Sequence, residues 1–230
     1  MEQCFISRKE LAGLFDHTQL KANASKEDMK KLCEESRENG FRMVAVNSAQ
    51  VVLCHELLKG SPVHVGAAVG FPLGQTTIEA KAFETKQAIE QGADEIDYVI
   101  NITELKDGNY GYIRREMETI VSLCREQGVI SKVIFENCYL TDEEKRRLCA
   151  VAAQVKPDFI KTSTGFGPSG ATIEDVALMK ALAGDGIKVK AAGGIRDLDT
   201  CLAMIRAGAR RIGTSSSLRI LKEYDERFSG

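Results

Sequence analysis

Short apolar segments alternate with amphipathic helical ones from end to end of this 230-residue chain. The segments that read as strands cover 14–18, 41–47, 63–71, 95–101, 132–137, 158–162, 187–192 and 211–213. Helical periodicity fills 25–39, 48–59, 75–92, 110–127, 141–155, 172–184 and 197–208 between them. Thr141 and Glu144 open one helix as a capping box, and Gly40, Gly92 and Gly128 each follow a helical stretch where a C-cap glycine is expected. No linker or low-complexity run interrupts the pattern, so residues 1–230 read as one domain. Eight strands alternating with helices predict an α/β fold, a single (β/α)8 TIM barrel, slightly under the typical ~250 residues. The alternative, a doubly wound open sheet, lacks a G-x-G-x-x-G after its first strand.

The strands depart from what a parallel sheet covered on both faces should show, which is nearly continuous hydrophobics. In Glu95-Ile96-Asp97-Tyr98-Val99-Ile100 the acids share one parity. Lys132 and Glu136 share a face of Lys132-Val133-Ile134-Phe135-Glu136, and Lys188 and Lys190 oppose Ile187 and Val189. With a period of two, the apolar parity packs on helices and the charged parity points inward. Asp97, Lys132, Glu136, Lys161 and Lys190 then converge on the barrel interior and its mouth, a charged lumen better explained by a site than by scattered ion pairs.

Two lysines stand out. Asp158-Phe159-Ile160-Lys161 runs straight into Thr162-Ser163-Thr164-Gly165, and thirty residues on Lys190 leads into Ala191-Ala192-Gly193-Gly194. Lysine is costly to bury, so each is either paired or used. A neighbouring cation lowers an amine's pKa, and a neutral amine is what Schiff-base chemistry needs. Lys190 also reads as structural, with Lys188 a rim residue at the opposite end; Asp97 reads as a neutralising partner, a role compatible with proton transfer.

The loops after strands seven and eight are the usual phosphate cradle of this fold. Here they are Gly193-Gly194-Ile195-Arg196 and Gly213-Thr214-Ser215-Ser216, with Thr164-Gly165 a third wall. Three glycine- or hydroxyl-rich turns in those places predict a small phosphorylated metabolite as substrate. The formal charge of −2 gives no electrostatic case for nucleic acid or an anionic membrane. No apolar run approaches ~18 residues, and the N-terminus has neither the basic region nor the apolar core of a signal peptide. Seven cysteines without a C-x-x-C predict a reduced, cytoplasmic protein. His17, His55 and His64 form no close pair, so no metal is expected, and no other cofactor.

The same residues resemble the deoxyribose-phosphate aldolases, class I aldolases of the DeoC type. The likeness runs nearly the full length, through Asp16-His17-Thr18, Gly70-Phe71-Pro72-Leu73-Gly74, Gly92-Ala93-Asp94-Glu95-Ile96-Asp97, Val99-Ile100-Asn101, Lys132-Val133-Ile134, Lys161-Thr162-Ser163-Thr164-Gly165, Lys190-Ala191-Ala192-Gly193-Gly194-Ile195-Arg196 and Arg211-Ile212-Gly213-Thr214-Ser215-Ser216. The resemblance implies that Lys161 forms the Schiff base, that Asp97 and Lys190 handle protons, and that Lys132, Asp16 and Thr18 assist nearby. It implies reversible cleavage of 2-deoxy-D-ribose 5-phosphate to glyceraldehyde 3-phosphate and acetaldehyde. A homodimer is compatible with such a barrel.

Departures from the family pattern are Ala45 in place of a cysteine, Asn137 for a threonine, Gln19 and Asn23 for a leucine and a proline, and Ser217 for a glycine. Ala45 and Asn137 are expected to reshape the acceptor pocket. The final residues, from Glu223 to Gly230, lack the terminal tyrosine that some members use as a mobile proton carrier, and Tyr224 reads as a helix-surface residue. His17 reads as packed on the outer face, Glu136 as orienting a lysine, and Cys138 as a small filler with no histidine to activate it. Asp16 is open between an interior ion-pair partner and a ligand of a substrate hydroxyl. Spacing alone reaches a phosphorylated carbonyl compound, which leaves an enolising isomerase or another sugar-phosphate aldolase as the alternative. A catalytically silent sensor would have lost Lys161 or Asp97, and both are present.

Overall fold

The structure, a computed structural model, describes residues 5–228. The leader-free reading of the N-terminus, Cys4 and the last two residues of the tail fall wholly or partly outside the described residues. Strands β1 (Phe15–Gln19), β2 (Met43–Asn47), β3 (His64–Val69), β4 (Glu95–Val99), β5 (Ile130–Ile134), β6 (Phe159–Lys161), β7 (Lys188–Ala192) and β8 (Ala209–Thr214) pair in parallel and in sequence order. β1 returns to β8, so the barrel closes and no edge is left unpaired.

The helices are α1 (Arg8–Ala12), α2 (Lys26–Asn39), α3 (Val51–Leu57), α4 (Ile78–Glu90), α5 (Ile102–Lys106), α6 (Tyr110–Glu126), α7 (Asp142–Val155), α8 (Ile173–Leu182), α9 (Leu198–Arg206) and α10 (Ser217–Phe228). Sequence periodicity misses α1, α5 and α10. The two short ones bury too few side chains to set a period. Even so, Ser7 and Glu10 form a full capping box on α1. Thr141 and Glu144 cap α7 as expected; Gly40 is the left-handed C-cap of α2, while Gly92 and Gly128 stand one residue beyond the caps of α4 and α6.

The core is the ring between sheet and helices. Val44, Val46, Val65, Ile96, Val133, Ile160, Val189 and Ile212 face outward from their strands into it. Against them α6 sets Ile113, Met117, Ile120, Val121 and Cys124, one stripe of the helix. Each large aliphatic group buried this way contributes about 1.5–3 kcal/mol. His17 belongs to this outer layer, with Nε2 2.9 Å from Glu35 on α2 and Nδ1 3.1 Å from Ser217 on α10. Tyr224 corrects the sequence reading: it is buried, and its hydroxyl donates to the Ile6 carbonyl at 2.8 Å, docking α10 over the N-terminal segment. Arg8 and Asp225 join the same two segments at 2.8 Å.

Candidate active site

Strand register brings the charged residues together. Asp97 lies opposite Lys132 across β4 and β5, Lys161 opposite Lys190 across β6 and β7, and Lys190 opposite Arg211 across β7 and β8. Opposed residues share a face, and this face is the lumen. Ala45 on β2, and Gly66 and Ala68 on β3, carry the same layer with small groups that leave room. Gly213 serves the same purpose, because a Cβ there would meet Ala192 Cβ at 2.9 Å and Lys190 Cε at 3.1 Å.

Asp97 is the centre of the cluster. Its Oδ1 accepts from Lys132 Nζ at 2.6 Å, and its Oδ2 accepts from Lys161 Nζ at 2.8 Å and from Lys190 Nζ at 2.7 Å. Lys190 also reaches Asp16 Oδ2 at 2.5 Å, and Lys132 reaches Glu95 Oε2 at 2.5 Å. Arg211 closes the network by donating to Asp16 and Glu95 together. None of these seven side chains belongs to a residue more than 4% exposed.

Burial dominates the electrostatics. It pulls the Lys161 amine down to about 8, with Lys190 adding to the fall and Asp97 opposing it. Burial acts on Lys132 too, but Asp97 and Glu95 outweigh it and hold that amine above its ordinary value. For Asp97, burial favours the neutral acid, yet Lys132, Lys161 and Lys190 together hold the carboxyl well below the usual range. Lys161 is therefore accessible to deprotonation near neutrality, and it lines the mouth.

That mouth is a cavity of about 240 Å³ whose walls include Thr18, Lys161, Thr164, Gly165, Gly193, Gly194, Gly213 and Ser215. Asp16, Asp97, Lys132 and Lys190 lie beneath its floor. The β6 and β7 loops pack backbone on backbone: the Ala171 N–H donates to the carbonyls of Ala192 and Gly193, each at 3.1 Å. At Gly170 a Cβ would stand 2.1 Å from the Gly193 carbonyl oxygen, so only glycine fits. Of the polar groups in this wall, Thr214 and Arg196 lay inside the loop motifs but were not singled out, and Lys21 was missed. Thr214 ties the β7 and β8 loops together, donating to the Ile195 carbonyl at 2.6 Å and accepting the Ser216 N–H at 2.9 Å. Lys21 and Arg196 add exposed cations; Arg196 was readable, since it sits within the Gly-Gly-Ile-Arg turn.

Ser216 and Glu136 depart from expectation, and Asn137, Ala45, Asp16, Lys188 and Cys138 stand outside the cavity lining. Ser216 does not line the cavity, and its N–H is already engaged by Thr214. Among the described residues Glu136 pairs with no lysine. β5 ends at Ile134, and Glu136 adopts a left-handed backbone (φ 56°), so strand parity no longer governs it. Its carboxylate instead accepts from the Thr164 N–H at 3.1 Å and from the Thr164 hydroxyl, fixing the cavity wall. Asn137 turns away from the cavity, with Nδ2 3.2 Å from Met179 Sδ on α8, and Ala45 lies in the lumen; neither lines the cavity. Asp16 is here an ion-pair partner of Lys190 and Arg211. Lys188 lies on the rim at the opposite end, with Nζ 5.5 Å from the Phe159 ring centroid. Cys138 is partly exposed, with Sγ 3.8 Å from Glu136.

A closed parallel barrel with a buried lysine cluster opening into a glycine-walled cavity defines a (β/α)8 enzyme whose reactive group is an amine. The chain belongs to the DeoC/LacD family aldolases, whose sequence profile matches residues 11–223. It is 58% identical over 211 residues to a deoxyribose-phosphate aldolase of Lactobacillus acidophilus, covering 92% of this chain and 89% of that one. To the corresponding protein of Bacteroides thetaiotaomicron it is 55% identical, covering 98% and 94%. The solved tetrameric deoxyribose phosphate aldolase of Aeropyrum pernix superposes with a TM-score of 0.89 at 32% identity, over 96% of this chain and 93% of that one.

Proposed function

We infer that this chain is a class I aldolase that reversibly cleaves 2-deoxy-D-ribose 5-phosphate to D-glyceraldehyde 3-phosphate and acetaldehyde, with Lys161 as its Schiff-base lysine. The observation that carries the residue assignment is the position of Lys161: buried, shifted down to about 8, and set in the floor of the cavity. Neutral Lys161 Nζ attacks C1 of the open-chain sugar, and loss of water leaves an iminium. The iminium draws electrons from C2–C3 as the C3 hydroxyl loses its proton. The bond broken is C2–C3, because the two-carbon product carries C1 and C2; a break at C3–C4 would retain three carbons on the lysine. Glyceraldehyde 3-phosphate departs, the enamine is protonated at C2, and hydrolysis releases acetaldehyde.

Asp97 and Lys190 share one oxygen–amine contact beside Lys161, and on this reading they pass these protons together, with water completing the path to C3. Asp97 alone is a weak acceptor, being held well below the usual carboxylate range. Lys132 and Asp16 hold the pair in place; Thr18, whose hydroxyl donates to the Asp16 carbonyl, can accept from the sugar, and Thr164, its hydroxyl held by Glu136, walls the site. Gly165, Gly193, Gly194, Gly213, Ser215 and, through the turn it closes, Ser216 form the phosphate end, helped by Arg196 and Lys21. The substrate's phosphate then sets which carbon faces the lysine.

The test is intact mass after borohydride reduction in the presence of acetaldehyde, for wild type and Lys161→Arg. A reduced two-carbon adduct on the wild type alone is expected. A folded wild type that stays unlabelled would move enolising chemistry on another sugar phosphate ahead of the imine. We further propose that residues 1–230 act as one catalytic domain, that the chain forms a homodimer, and that it works in the cytoplasm. The free thiols of Cys33, Cys54, Cys124, Cys138, Cys149 and Cys201 support a reducing compartment. Light scattering on a sizing column reads the assembly directly.

A further inference from the structure

The lumen holds an imbalance of charge. Among the described residues it contains four cations, Lys132, Lys161, Lys190 and Arg211, against three carboxylates, Asp16, Glu95 and Asp97. These face Lys161 from β1, β4, β5, β7 and β8, whereas β2 and β3 contribute Met43, Ala45, Gly66 and Ala68. Outside this set, Glu136 is engaged by Thr164, and His64 and Arg42 approach Glu95 from the partly exposed lower edge at 2.7 and 4.0 Å. A buried space of low dielectric disfavours an unmatched charge, and Arg211 cannot release a proton. One of the three lysines is therefore the outlet.

Partner geometry decides which one. Lys132 has two carboxylates, Glu95 and Asp97 Oδ1; Lys190 also has two, Asp16 and Asp97 Oδ2. Lys161 has a single oxygen, Asp97 Oδ2, which Lys190 shares. Arg211 aligns Asp16 and Glu95 while each also grips its own lysine. We propose that Arg211 and Glu95, neither of which lines the cavity at the mouth, are positioning residues whose opposed charges balance each other, hold the lumen at a surplus of one cation and so leave Lys161 the amine that gives up its proton. This rests on the reading of Lys161 as the Schiff-base lysine. It adds that the reactivity of this lysine is set by two residues that never meet the substrate.

The consequence is a pattern of opposite signs. Arg211→Met leaves three cations against three carboxylates, so Lys161 keeps its proton to higher pH. Glu95→Gln leaves four against two, so an amine gives up its proton at lower pH. The double variant has three against two and restores the surplus of one. A unit charge about 10 Å away, at an effective dielectric of ~20, moves a midpoint by about one pH unit, or about tenfold in trapping rate below it.

The experiment measures cyanoborohydride trapping of acetaldehyde against pH for wild type, Arg211→Met, Arg211→Lys, Glu95→Gln and the double variant. Acetylation of Lys161 by acetic anhydride, mapped by peptide mass, reads the same proton without requiring an imine. Expected are a midpoint near 8 for wild type, higher for Arg211→Met, lower for Glu95→Gln, and close to wild type for Arg211→Lys and the double variant. Singles that shift in the same direction, or a double variant further from wild type than either, would overturn the proposal in favour of a merely structural role. If Arg211→Met fails to fold, Glu95→Gln and Arg211→Lys decide alone: a downward shift in the first with none in the second supports the charge count, and any other pair refutes it. Lys161 acetylation that follows the pattern while acetaldehyde is never trapped would sink the Schiff-base reading and leave the charge assignment standing.

Discussion

Replacing Lys190 by methionine tests how the lysine cluster works. Both amines contact Asp97 Oδ2, Lys161 at 2.8 Å and Lys190 at 2.7 Å, so they stand no more than about 5.5 Å apart, the sum of the two contacts. Two unit charges at that distance and an effective dielectric of ~20 repel by about 3 kcal/mol, or roughly 2 pH units of proton affinity. Removing the cation takes the Lys161 amine from about 8 back towards the ordinary lysine value of 10.5. At pH 7 its neutral fraction, roughly a tenth in the wild type, falls by roughly a hundredfold. Loss of Lys190 also gives Lys161 sole use of Asp97 Oδ2, which acts in the same direction. The assay is the single-turnover rate of imine reduction with acetaldehyde, from pH 6 to pH 10. The variant should be slower by roughly a hundredfold at pH 7 and should recover steeply as pH rises. If Lys190 serves only to pass protons, the rate drops by the same factor at every pH and the midpoint stays near 8. That result would refute the electrostatic argument.

Gly170→Ala should raise KM for deoxyribose 5-phosphate by roughly tenfold or more, the worth of one hydrogen bond to a charged group, because its Cβ would push the Gly193 carbonyl aside. Turnover of unphosphorylated deoxyribose, measured alongside, should change far less. Away from the site, Lys81 and Glu116 form a wholly buried pair at 2.5 Å. Lys81→Met alone should cost about 3–5 kcal/mol in urea unfolding, and adding Glu116→Leu should recover much of it, since an unpaired buried charge is worse than none. Acid stability follows from Asp97 and Glu95, both of which their cations hold below the usual carboxylate range against the pull of burial. Their contribution is fully present above about pH 4, where carboxyls of the unfolded chain ionise, and is lost as pH falls through the lower folded values. Asp97→Asn should therefore flatten the decline in unfolding free energy below pH 4; an unchanged slope would deny Asp97 that role.

The places where sequence reasoning succeeded share a cause. A strand's period of two is local, so the inward parity of Asp97, Lys132, Lys161 and Lys190 could be read from alternation alone. The glycine turns after β7 and β8 were legible as cavity walls because few side chains tolerate close backbone approach. Glu136 shows where this stops working. Parity holds only while the strand continues, and one left-handed residue past Ile134 sends the carboxylate to Thr164. Tyr224 failed for a different reason: its partner is the Ile6 carbonyl, two hundred and eighteen residues away. Thr214, not Ser216, lines the cavity, because a single hydrogen bond from the Ser216 N–H to the Thr214 hydroxyl fixes the turn.

What the chain order carried was the repeat of strand and helix, the charged face of the strands and the positions of the small turns. These are properties of neighbours along the backbone, and they were enough for the barrel, its two inward lysines and the loops that wall its cavity. Closure of the sheet decided the rest. Only when β8 meets β1 does Arg211 come between Asp16 and Glu95, and only then does the lumen have a countable charge. Whether a given amine is neutral depends on that count and on burial. Both are properties of a closed space, and no stretch of sequence encloses one by itself.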